Sequence, residues 1–139
     1  MFLSVLDIEE KDAFMNLLYN VAKIDGNFTE TEKAYINAYS VEMGLEMASE
    51  NAYVNTNEEL IEQLSASSKR NQKVIYIELI GLMLTDGMHK SEKAFLDVLA
   101  KEFSISEDET TEIIKWVEDI TPMYRKGFEL AGLIEVTKS

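Results

Sequence analysis

The sequence predicts an all-α fold, a single domain of about seven helices built from a duplicated helix-turn-helix unit. Three observations carry that prediction. One proline and six glycines among 139 residues disfavour many short strands. Apolar residues recur at three- and four-residue spacing, the period of one helical face. A short motif is also written twice, as IDGNFTETEKAY at 24–35 and TDGMHKSEKAF at 85–95, which marks an internal repeat over about 13–45 and 74–105.

The elements follow in order. Ala13, Phe14, Leu17, Leu18, Val21 and Ile24 share a face and place a helix near 8–25. Tyr35, Tyr39 and Met43 give a weaker stripe over 30–43, with Gly44 as its C-terminal cap. A longer connection spans 44–56. Thr56 followed by Glu59 is a capping-box pattern that starts a helix over 57–67, and the serines of SASSKRNQ break it. The next helix, near 70–86, contains VIYIELIGLMLT at 74–85, which reads as the central buried helix. Glu78, alone in that run, is expected either at its exposed edge or paired, with the exposed edge favoured. Phe95, Val98, Leu99 and Phe103 mark a helix over 91–103, with Ser91 as the expected cap. Ser106 and Glu109 open a helix over 107–120 carrying Ile113, Trp116, Val117 and Ile120. Thr121 then Pro122 reads as N-cap and first helical residue, so a last helix is expected over 122–135.

Composition narrows the function classes. The formal net charge is −13, with 26 acidic and 13 basic residues, so nucleic acid and anionic membrane are disfavoured as partners. Residues 1–62 hold 13 acidic and three basic side chains, which predicts an acidic face from the first half. Lys69, Arg70 and Lys73 form a basic group expected to pair with that half. There is no cysteine, which excludes disulfides, thiolate metal sites and cysteine nucleophiles. The start MFLSVLDIEEK has no basic leader, and the most apolar run is about half a bilayer span. A cytoplasmic protein without direct membrane insertion is expected.

The repeated motif has two readings. As a joint, Gly26 ends one helix in the left-handed conformation while Thr29 and Glu32 form a capping box on the next. As a site, Asp25 and Asp86 stand in the last turn of their helices, where the macrodipole disfavours a carboxylate and a compensating partner is needed. The residue three before Glu92 is His89 rather than Ser or Thr, so the second box lacks its usual hydroxyl. An EF-hand is rejected. Its first and third ligand positions would be Val21 and Lys23, and its twelfth in the second copy would be Lys93. The remaining possibility is a composite cation site of Asp25, Glu32, Asp86 and Glu92, formed if the duplication brings both corners to a common surface. Four such carboxylates would repel one another unless a hard cation or basic partner neutralised them.

The twofold DG-x(4,5)-E signature, in an acidic chain of this length, resembles the TerB-like domain of tellurite-resistance proteins and the related domain of membrane-anchored DnaJ-type co-chaperones. The resemblance covers about 14–117. It implies an all-helical, non-enzymatic binding module in a stress-response setting, with Asp25, Glu32, Asp86 and Glu92 as metal-associated or partner-binding residues. Calcium or magnesium would be the cation, and a partner protein the alternative ligand. A metal-free interaction adaptor, in which the motifs are only turns, is the competing expectation. No histidine-supported nucleophile and no Gly-rich phosphate loop is written in the chain, so an enzyme ranks last. His89, the single histidine, is expected to be exposed in a polar turn.

Overall fold

Two helices buried over much of their length sit at the centre, and the others cover them. The computed structural model describes residues 1–24, 29–45, 53–84 and 87–132. Those residues hold a 3₁₀ turn at Leu3–Val5 and six helices: α1 Ile8–Ala22, α2 Glu30–Met43, α3 Asn57–Leu64, α4 Lys69–Met83, α5 Lys90–Glu102 and α6 Glu107–Leu130. No strand occurs among the described residues.

Local chemistry explains where the helices start. Asp7 caps α1 by accepting the Glu10 amide at 2.8 Å, and the Glu10 carboxylate accepts the Asp7 amide at 2.9 Å. The Thr29–Glu32 and Thr56–Glu59 pairs form the same reciprocal boxes on α2 and α3, as their spacing predicts. Ser68 and Ser106 cap α4 and α6 through their hydroxyls. Gly44 ends α2 at φ 70°, a left-handed conformation in which a side chain is disfavoured.

In α1, the run from Ala13 to Tyr19 is buried throughout; in α4, Ile75, Tyr76, Leu79, Ile80 and Leu82 are wholly inaccessible. Burying each such Leu or Ile contributes roughly 1.5–3 kcal/mol, which outweighs the weak intrinsic helix preference of the β-branched residues. The helix α4 is therefore central, as read from the sequence. It touches α1, α2, α5, α6 and the 3₁₀ turn. The helix α1 packs on α2, α3 and α4, so its contacts toward α2 and α3 parallel those of α4 toward α5 and α6. Phe14 meets the Tyr39 ring edge-on at 5.9 Å between the two first helices.

Five sequence expectations are corrected. Pro122 does not open a seventh helix; it lies inside α6. Its missing amide deprives only the Glu118 carbonyl, and Glu118 is exposed, so water can serve that group. Thr121 does not cap either, since its hydroxyl donates to the Val117 carbonyl at 2.6 Å. Ser91 is not the cap of α5; His89 holds that position in extended geometry, φ −80° and ψ 159°. Glu78 is 5% exposed rather than at the outer edge. The basic group turns toward the C-terminal half: Lys73 meets Glu109 at 2.8 Å and the Lys69 ammonium donates to the Phe103 carbonyl.

Candidate functional site

The two acidic corners are the site named by the sequence. Asp25 and Asp86, with Gly26, lie outside the described residues. Glu32 and Glu92 are described, and both are buried, at 5% and 3% exposure. Each is the third residue of its helix, and each turns its carboxylate back onto that helix's own start. Glu32 Oε1 accepts the Thr29 amide at 3.0 Å and the Thr29 hydroxyl at 3.1 Å. The same hydroxyl accepts the Glu32 amide at 3.1 Å, closing the box. Glu92 Oε1 accepts the His89 amide at 3.0 Å. So Glu92 has a partner after all. The half of the box that needs a carboxylate is kept, with imidazole in place of the threonine hydroxyl at the cap position.

This geometry has an energetic logic. The first turn of a helix presents unpaired N–H groups and the positive end of its dipole, and a carboxylate there is stabilised by about 0.3–1 kcal/mol. Gly87, between the second Asp and His89, has φ 83°, the left-handed turn that the joint reading expects at such a glycine. His89 itself is exposed, as predicted. Among the described residues, no group of three or more His, Asp or Glu is arranged to hold a metal.

Two open clefts lie elsewhere, beside α1. One, of about 370 Å³, is lined by Asp7, Glu9, Glu10, Gln63, Ser68 and Asn71. Its buried Glu10 is occupied: Asn71 Nδ2 donates to both carboxylate oxygens, at 2.9 and 3.1 Å. The other, of about 430 Å³, includes Asp12, Asn16, Tyr53 and Asn55. There the Asn16 side chain accepts the Asn55 amide at 3.1 Å, and Asn20 Nδ2 donates to the Asn55 carbonyl at 3.0 Å. Stacking of Tyr19 on Tyr53, centroids 5.3 Å apart, continues the attachment. These polar groups hold chain to chain.

Sequence reasoning missed a second carboxylate centre. Glu42 on α2 and Glu78 on α4 both accept from the ammonium at Met1, at 2.7 and 2.9 Å. Glu78 also accepts the Phe2 amide at 2.8 Å, and Glu42 the Leu3 amide at 2.9 Å. Beside them Tyr39 donates its hydroxyl to the Glu78 carbonyl at 3.3 Å. Burial, then the charge of Glu78, pushes the Tyr39 phenol well above its ordinary range. Burial followed by Glu42 and Glu78 raises Tyr124 as well. The one sequence signal for this centre was a lone carboxylate in an apolar run. Its partners lie 76 residues away, beyond any local pattern.

No helix among the described residues is long and apolar enough to cross a membrane. Compared with family models, curated proteins and solved structures, the chain matches none in any of the three.

Proposed function

We propose that this chain is a non-enzymatic, TerB-like acidic binding module that acts by contacting a partner protein, with the DG-x(4,5)-E corners serving as helix joints. The observation behind this reading is the posture of Glu32 and Glu92. Both carboxylates are buried and spent on their own helix starts. A cation held by Asp25, Glu32, Asp86 and Glu92 would draw both glutamates away from those starts, and losing a cap costs about 0.5–2 kcal/mol each. Calcium or magnesium binding would have to exceed that cost.

A second observation supports a protein partner. The helix α6 carries Trp116 and, in its distal half, Met123, Tyr124 and Leu130 at 41–76% exposure, large apolar side chains on one element. The acidic balance of −13 selects basic partner surfaces. The stress-response setting rests on the TerB resemblance.

Calcium and magnesium titrations followed by NMR test the joint reading, together with Glu32→Gln and Glu92→Gln. Glutamine preserves a capping box but removes a metal-ligating charge. The joint reading expects flat titrations and both variants within about 1 kcal/mol of the parent. Saturable shifts centred on the four acidic residues, lost in the glutamine variants, would overturn it in favour of the cation site. Partner capture should survive both glutamine substitutions and fail on Met123→Ser with Tyr124→Ser.

A further inference from the structure

We propose that α6 pairs antiparallel with the same helix of a second copy of this chain, giving a twofold dimer. This pairing rests on the partner reading above and names the partner that covers α6. Ile113, Trp116, Ile120, Met123, Gly127 and Leu130 alternate at spacings of three and four residues, all within that helix. Such alternation is the heptad spacing of a two-helix seam, with the isoleucines and Gly127 in one class of position and Trp116, Met123 and Leu130 in the other. The stripe lies beside the side of α6 that enters the core. Thr110 and Val117 are the buried residues of α6, whereas Trp116, Met123 and Leu130 are exposed and Ile113 and Ile120 are half-buried. The Phe2 ring, 6.2 Å from the indole, covers Trp116 only in part.

Charge and shape both select a second copy, running in the opposite direction. Residues 113–130 hold Lys115, Glu118, Asp119, Arg125, Lys126 and Glu129, three of each sign in a chain of net −13. The segment is therefore locally neutral, and the repulsion between two such acidic chains is weakest there. Reversing the order of those six residues inverts every sign. Two antiparallel copies thus oppose unlike charges, whereas a parallel pair in register would set like charges level with each other. Beside the seam, the antiparallel pairing brings Asp119 to the partner's Lys126, twice across the dyad. Both side chains are exposed, and Lys126 meets its own Glu129 only at 3.9 Å. Asp119 holds Lys115 at 2.9 Å, and a carboxylate can accept a second donor.

Gly127 supplies the shape argument. Glycine inside a helix weakens it relative to alanine, yet a Cβ here would meet no described atom within 4 Å. The antiparallel register sets Gly127 opposite the partner's Trp116, Ile120 opposite Met123 and Ile113 opposite Leu130. The hole left by the missing side chain faces the bulkiest knob of the other helix. The seam spans about 25 Å at the helical rise of about 1.5 Å per residue, so association is reversible and concentration-dependent.

Sedimentation velocity of the full chain from about 1 μM to about 1 mM covers the range of a weak reversible pair. A monomer–dimer equilibrium is expected, with the emission of Trp116, the single tryptophan, moving to the blue as the dimer forms. Asp119→Lys and Lys126→Asp should each weaken the dimer at least tenfold by setting like charges across the dyad. An equimolar mixture of those two variants restores unlike charges at both contacts and should dimerise as the parent does. Gly127→Leu should abolish pairing while the helix content of the monomer holds or rises, because leucine is the better helix former. A chain that stays monomeric, a dimer indifferent to Gly127→Leu or to the charge reversals, or reversals that mixing does not rescue would overturn the proposal. Each of those outcomes leaves the capture of a different protein to be decided by Met123→Ser with Tyr124→Ser, and the joint reading to its own titrations.

Discussion

Tyr39 concentrates several constraints in one side chain. Its ring packs on Phe14, its hydroxyl reaches the Glu78 carbonyl, and a Cβ at Gly81 would come within 3.2 Å of that hydroxyl. Because the folded-state phenol titrates above its ordinary value of about 10, the folded chain holds that proton more tightly than the unfolded one. The associated stability is complete below about pH 10 and is lost as pH rises through the folded value. Tyr39→Phe is expected to flatten the alkaline loss of stability, seen as a denaturant midpoint that changes less between about pH 9 and 11. At pH 7 the same substitution should cost about 0.5–1 kcal/mol, since the hydrogen bond is long. None of this was legible locally. The spacing of Tyr35, Tyr39 and Met43 located a buried stripe, but the groups that meet Tyr39 come from α1, α4 and α6. Glu78 was misread for the same reason: exposure at an apolar helix's edge is the commoner outcome, and its compensating donors are remote in sequence.

The helices show what local pattern can and cannot carry. Capping boxes close within four residues, so Thr29–Glu32 and Thr56–Glu59 were readable before any packing was known. Thr121-Pro122 was not, because the same dipeptide suits a helix start or an exposed helix interior, and only burial distinguishes them. Past Val117, α6 contributes no fully buried residue. An interior proline costs about 3 kcal/mol, yet here it weakens a half-helix that the core hardly grips. Pro122→Ala should therefore slow hydrogen exchange across 118–130 at least tenfold while the global denaturant midpoint moves little. A large global gain would show that the distal half unfolds with the core. At the acidic corners the capping box of Thr29 and Glu32 was legible, whereas the turn at Gly87 was not read from the sequence. Convergence of the corners falls to Asp25 and Asp86, outside the described residues.

Charge acts on the molecule as a whole. Surface pairs such as Lys93–Asp97 at 2.6 Å and Lys115–Asp119 at 2.9 Å are exposed, so each contributes little, and salt screens that away. Against them stands the self-repulsion of a net −13. We expect repulsion to dominate, so the thermal midpoint should rise from about 10 to about 150 mM sodium chloride, as the screening length shrinks from about 30 to 8 Å. A falling midpoint would show that paired charges outweigh the excess. The attachment of Tyr53 and Asn55 to α1 has a different consequence. With that anchor on one side and Gly44 closing α2 on the other, both ends of the intervening connection are pinned independently of its length. Closing a longer tether costs only about 0.6 kcal/mol per doubling. Tyr53 and Asn55 thus hold their place on α1 through their own contacts, and lengthening the chain ahead of them should leave the unfolding midpoint nearly where it was.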